Sequence, residues 1–133
     1  KCLSRPLYGF ENTEHTINNE GPYAFYYHNK IYLAYSGGDA RGYLYAIGML
    51  TANDGDDLCD LSVWEKAKTP IASFATIPGE YGPGHNSFFW DRDQNLWIAY
   101  HAVTSFEEKI VSSGMRRVYF EQDKTPRVDV IVE

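Results

Sequence analysis

The sequence predicts an all-β fold on three counts. Side chains alternate with a period of two, β-branched and aromatic residues gather in the alternating stretches, and turn-forming residues separate them. Three Trp, eleven Tyr and seven Phe make up 16% of the 133 residues. Half-polar rings in that number suit pleated strands and wet clefts better than helical cores. The length is that of one ordinary domain.

Taken in chain order, strands are expected at residues 23–27, 31–35, 43–50, 87–90, 96–100, 115–121 and 128–132. His28-Asn29-Lys30, Ser36-Gly37-Gly38-Asp39 and Asp91-Arg92-Asp93-Gln94-Asn95 lie between runs and read as hairpin loops. Residues 51–60 are polar and Asp-rich, a loop or short helical turn ahead of a strand around Val63-Trp64.

A repeat organises these strands. A shift of 65 residues, the step from Glu20 to His85, sets Ile31-Tyr32-Leu33-Ala34-Tyr35 on Leu96-Trp97-Ile98-Ala99-Tyr100 and Tyr23 on Phe88. Two units of three or four antiparallel strands read as propeller blades, with a β-sandwich of two similar hairpins as the alternative. In a propeller the first strand of each unit lies next to the axis, so Glu20 and His85 are expected to converge there.

Composition excludes several partners. Twelve Lys and Arg against eighteen Asp and Glu give a net charge of -6, which works against nucleic acid and favours a neutral partner. The apolar runs are strand-length, far short of the roughly 20 residues of a membrane span, and no secretory leader pattern is present. The chain therefore reads as soluble, and its start at Lys1 rather than Met reads as a cut or processed end. Cys2 and Cys59 are too few and too far apart for a disulfide framework or zinc site and are expected to be unpaired thiols. With no Asn-x-Ser/Thr sequon the compartment stays open.

Two stretches are candidates for chemistry. In Asn19-Glu20-Gly21-Pro22 a carboxyl is held before a rigid turn that opens an aromatic strand. Such a carboxyl suits a general acid if burial raises its pKa, and is otherwise a solvated turn residue. In Tyr81-Gly82-Pro83-Gly84-His85-Asn86-Ser87-Phe88 a tight turn delivers His85 and Asn86. Both suit a metal, a water or a ligand hydroxyl, or simply a backbone hydrogen bond. Asp54, Asp56, Asp57 and Asp60 fail the EF-hand spacing and read as a solvated face. Arg116-Arg117 on a strand directs one guanidinium inward to a carboxylate and the other to solvent, as a structural ion pair or a substrate contact. No nucleophile elbow, Walker loop, dinucleotide fingerprint or zincin helix occurs.

At these residues the sequence resembles glycoside hydrolase family 43, five-bladed β-propellers acting on arabinose- or xylose-containing saccharides. Leu3-Ser4-Arg5-Pro6 with Phe10-Glu11, Asn19-Glu20-Gly21-Pro22, the stretch from Tyr81, Tyr100-His101-Ala102 and Asp123-Lys124-Thr125-Pro126 are all similar to family segments. Gly48-Met49-Leu50-Thr51-Ala52 and Ser62-Val63-Trp64 resemble the α-L-arabinofuranosidase branch.

The resemblance implies an inverting glycosidase acting on terminal α-L-arabinofuranosyl or β-xylosyl groups. Glu20 would be the general acid, Asn86 and Arg116 would contact substrate, and His85 would sit on the axis near a structural calcium ion. The family's base and an acid-tuning Asp belong to earlier blades, and this chain starts after them. The expected organisation is residues 1–17 as the end of a preceding blade, 18–80 as one blade and 81–133 as the last. The missing blades would come from the same gene, another chain or self-association. Phe10, Lys124 and Gly114 stand where the family carries Trp, Gly and, in one branch, Arg. The alternative function is a non-catalytic sugar-binding or structural propeller piece.

Overall fold

The computed structural model describes residues 1–130. A 3-10 turn at Gly9–Glu11 leads into a small hairpin of β1 (Asn12–Thr13) and β2 (Thr16–Ile17). Strands β3 (Asn19–Tyr27), β4 (Lys30–Gly37), β5 (Ala46–Asn53) and β6 (Glu65–Lys66) form a four-stranded antiparallel sheet in that order. Strands β7 (Tyr81–Trp90), β8 (Leu96–Val103) and β9 (Val111–Arg117) form a three-stranded one, and β10 (Tyr119–Phe120) pairs with β11 (Pro126–Arg127). The fold is all-β, as the periodicity predicts.

Local chemistry sets the turns. Tyr27 pairs with Lys30 across His28 and Asn29, both with positive φ (44° and 62°), the geometry of a type I′ hairpin whose twist suits the strands it joins. In the longer loop before β8, Asp91 accepts from the backbone of Asp93 and Asn95, from the Asn95 amide and from Trp97 Nε1 at 2.8 Å. Those bonds, Trp97's foremost, hold its carboxyl down at about 2.

Four expected strands are corrected by backbone partners. The strand expected over 43–50 starts at Ala46, because Glu14 takes the Tyr43 and Leu44 N–H groups and Tyr43 C=O accepts from Gly82. Around Val63-Trp64 the chain makes a 3-10 turn (Leu61–Val63), capped by Asp60 accepting from Ser62 N at 2.9 Å, and pairs only from Glu65. The strand over 115–121 breaks at Val118, whose N–H turns to Leu96 C=O. Val128 is buried but outside any ladder, so its alternation reports burial and not pairing. Residues 131 and 132 of that expected strand lie outside the described residues.

The two larger sheets pack face to face. Phe25, Tyr32, Ala34, Ile47 and Met49 meet Phe88, Leu96, Ile98, Tyr100 and Ala102 in one buried cluster. Phe25 lies 4.8 Å from Tyr32 and 4.5 Å from Phe88 between ring centroids, and Tyr27 stacks on Phe120 at 3.7 Å. Fully burying a large apolar side chain of this cluster, such as Ile47, Met49 or Ile98, contributes about 1.5–3 kcal/mol. At the far end, Tyr32 Oη donates to Lys124 C=O at 2.8 Å, and burial pushes the phenol up to about 12. Lys124 itself has φ 68°, which accounts for glycine being the more comfortable residue in that turn.

One charge is buried outright. Glu11 has 0% exposure, and its Oε2 accepts from Leu7 N at 2.7 Å and Tyr8 N at 2.8 Å. Its Oε1 accepts from Asn19 Nδ2 at 2.8 Å, Tyr35 Oη at 2.7 Å and Lys66 Nζ at 2.5 Å. Lys66 also lies 5.2 and 5.3 Å from the Tyr8 and Tyr35 ring centroids and donates to Arg5 C=O. Burial pushes the Glu11 carboxyl up, but Lys66, the Tyr8 N–H, Tyr35 and Asn19 outweigh it and hold the pKa below the ordinary value.

Two expectations follow. A Cβ at Gly84 would run into the ring of Tyr45, which is 0% exposed, so Gly84→Ala should cost on the order of 1–3 kcal/mol. Urea unfolding checks this, and an unchanged midpoint would show that the ring has room to move. The depressed Glu11 pKa makes its ionised network a stabilising factor above the unfolded value of about 4.3, lost as pH falls through the lower folded value. Melting temperatures followed down from neutrality should drop below that point, and Glu11→Gln should be less stable at neutral pH with a shallower acid limb.

Candidate active site

The site lies at the mouths of β3 and β7. The β3–β4 register shifts between Glu20 and Tyr23, and the β7–β8 register between Gly84 and Ser87, nearly the same interval in the two units of the repeat. A bulge re-aims a side chain off the pleat, and Gly21 (φ 57°) and His85 (φ 51°) take the left-handed conformations that such a turn requires. The result brings Glu20 and His85 together, with His85 Nδ1 3.4 Å from Glu20 Oε2. Tyr23 and Phe88, also superposed by the repeat, meet at 5.9 Å between centroids.

Glu20 is partly sheltered, its side chain 29% exposed against 67% for His85. Its Oε1 is buried and without a hydrogen-bond partner among the described residues. The carboxyl lines a cavity of about 170 Å³ with Leu3, Ser4, Asn19, Leu33 and Tyr35. On the next strand, Ser36 Oγ accepts from His85 N at 2.8 Å, fixing the backbone of β7 to β4.

The other expected site residues are placed differently. Over the middle of β7, Gly84, Asn86 and Phe88 are buried and His85 and Ser87 exposed. Asn86 is therefore 5% exposed and turned into the protein, its amide nitrogen and oxygen both unpartnered among the described residues. Arg116 points inward as the strand alternation requires, donating from Nε to Tyr100 Oη and from Nη2 to Glu80 Oε1, each at 2.8 Å. Tyr100 Oη in turn donates to Glu80 Oε2 at 2.5 Å, and burial together with Glu80 pushes that phenol well up. Arg117 faces outward, with Asn95 and the Tyr119 ring as its neighbours.

His101 belongs to the site although its position was not singled out from the sequence. Its ring stacks 6.4 Å from His85 and 5.6 Å from Tyr45, and burial, then the neighbouring His85, hold its pKa below the ordinary imidazole value. The signal was the Tyr100-His101-Ala102 string, but only the pairing of Gly84 with His101 brings it beside His85. Calcium takes six to eight oxygen ligands, and no three His, Cys, Asp or Glu side chains gather as a ligand set among the described residues. The described residues do not by themselves supply a ligand set for that ion.

Known proteins share this fold. The family model of glycosyl hydrolases family 43 matches residues 4–126. The chain is 38% identical over 101 residues to an extracellular exo-α-(1→5)-L-arabinofuranosidase of Streptomyces chartreusis, covering 75% of this chain and 30% of that protein. A protein of the same name from Streptomyces avermitilis is 29% identical over an alignment of 138 residues, covering 98% of this chain and 28% of the relative. The solved α-L-arabinofuranosidase from Lactobacillus brevis superposes with a TM-score of 0.82 at 29% identity, over 94% of this chain and 40% of that one. The chain thus spans less than a third of the length of these curated relatives. It belongs to glycoside hydrolase family 43, and its two larger sheets are blades of that family's propeller.

Proposed function

We propose that this chain supplies the general acid, Glu20, and one wall of the cleft to an inverting glycosidase that removes terminal α-L-arabinofuranosyl groups. The observation that carries the reading is the Glu20 carboxyl itself, set at a bulged strand mouth with Oε2 toward His85 and Oε1 without a hydrogen-bond partner among the described residues. As the bond from the anomeric carbon to the glycosidic oxygen breaks, Glu20 gives that oxygen its proton. A second carboxylate takes a proton from the water that attacks the opposite face, and the sugar leaves with inverted configuration.

The second carboxylate has to stand about 6.5–9.5 Å from the acid. Glu11 does not qualify, because it is fully buried and paired with Lys66, where no water reaches it. In keeping with the family resemblance, the base is assigned to blades outside this chain, which would also have to provide the oxygen ligands of any cation near His85. Exposed rings support such association: Tyr26 on β3 and Phe89 and Trp90 on β7 are each more than 40% exposed, a display that a completed ring would bury.

Two measurements test the reading. The chain alone should not turn over aryl α-L-arabinofuranosides or β-xylosides, and should gain turnover when combined with blades that carry the base. Robust activity from a verified monomer would refute the division of labour, and absence of activity in every combination would favour a non-catalytic sugar-binding piece. In the completed enzyme, Glu20→Gln should lower kcat/KM on an arabino-oligosaccharide by about 10² to 10⁴ and much less on a dinitrophenyl arabinofuranoside, whose leaving group needs no proton. Equal losses on both substrates would remove Glu20 from the role.

A further inference from the structure

We infer that Glu11 is a positioning residue for the acid, acting through Asn19 and the first rungs of the β3–β4 ladder; this rests on the reading of Glu20 as the acid. Asn19 immediately precedes Glu20, and its side-chain amide is held at both ends. Nδ2 donates to Glu11 Oε1 and to Asn18 C=O at 2.8 and 2.9 Å, while Oδ1 accepts from Ser4 Oγ at 2.8 Å. With the amide fixed, the peptide unit that leads into Glu20 loses its freedom to rotate.

Glu11 also bears on the opposite strand. Asn19 pairs with Gly37, and a Cβ on Gly37 would come within 3.1 Å of Glu11 Cα and Cγ. Glu11 therefore stands against both members of that rung. The next rung pairs Glu20 with Ser36, and Ser36 Oγ accepts from His85 N at 2.8 Å. One buried carboxylate thus abuts the rung next to the one that carries the acid, and Ser36 of the acid's own rung holds the backbone of the histidine beside the acid.

The physical case is one of rigidity. A bulge is a local loss of ladder pairing, and the β3 bulge begins directly after Glu20, so the strand has no regular register on that side to aim the carboxyl. The order has to come from the other side, where Glu11 accepts five hydrogen bonds or ion-pair contacts from four separate stretches of chain. Proton transfer to a glycosidic oxygen tolerates little displacement, and about 1 Å of misplacement can cost about 10²-fold in rate.

The experiment compares three variants of the completed enzyme on the arabino-oligosaccharide and the dinitrophenyl arabinofuranoside. Asn19→Ala cuts the link and leaves Glu11 with Lys66, Tyr35 and the backbone of Leu7 and Tyr8. It should lower kcat on the oligosaccharide by about ten- to a hundredfold with KM little changed, and spare the activated substrate. Glu11→Gln should show the same selectivity, and if it fails to fold, Asn19→Ala decides alone. Wild-type rates for Asn19→Ala on both substrates, or equal losses on both, would overturn the inference, since a merely structural role lowers active protein without regard to the leaving group. Glu20→Gln separates the two claims. If it discriminates between leaving groups and Asn19→Ala does not, the positioning role alone fails; if Glu20→Gln does not discriminate, the acid role and the positioning role fall together.

Discussion

A carboxylate taken wholly out of water costs several kcal/mol unless its oxygens are satisfied, and Glu11 meets that condition only where five donors converge. Those donors come from the N-terminal segment, the mouth of β3, the middle of β4 and the short strand β6. None of these pieces can shift alone without leaving a buried charge unpaired. Much of the shape of the first blade depends on that single requirement. It draws Lys66, and with it β6, across the blade, and it lays the segment from Leu3 to Tyr8 along the face that carries Leu33 and Tyr35.

The repeat acts through the same frame. Two strands at equivalent places in the repeat carry bulges at nearly corresponding positions, and the bulges turn Glu20 and His85 toward one another where a regular pleat would have followed alternation. The faces behind them interlock aromatic rings with so little free space that Gly84 accepts no side chain against Tyr45. Close packing of the blades and aim of the site are therefore one problem, because a shift of β7 against β4 would move Ser36, His85 and the carboxyl beside it together.

On the proposed reading, the chain would hold half of a hydrolytic site. An acid needs a sheltered carboxyl on a fixed backbone, and Glu20 lies partly sheltered at a bulged strand mouth. A base for inversion must stand on the other side of the sugar, and a propeller places opposite sides of its axis on different blades. This chain covers less than a third of its curated relatives' length.

The sequence by itself determined the all-β class, the hairpin at His28-Asn29 and the coincidence of Glu20 with His85. Each of these is written in local chemistry: period-two alternation, residues that accept positive φ, and a repeat that superposes equivalent positions. Tertiary structure decided the rest. The burial of Asn86, a candidate ligand residue, was set there, because alternation along a bulged strand depends on where the bulge falls and a one-residue slip exchanges the faces. Arg116 found Glu80 and Tyr100, and Glu11 found Lys66 and Asn19, across separations that no spacing rule encodes. His101 came beside His85 only through the register of β7 with β8. Local sequence chooses a residue's conformation and the side of a strand it faces, but its partner is chosen by which strands pack together and in what register, and that is a property of the whole chain at once.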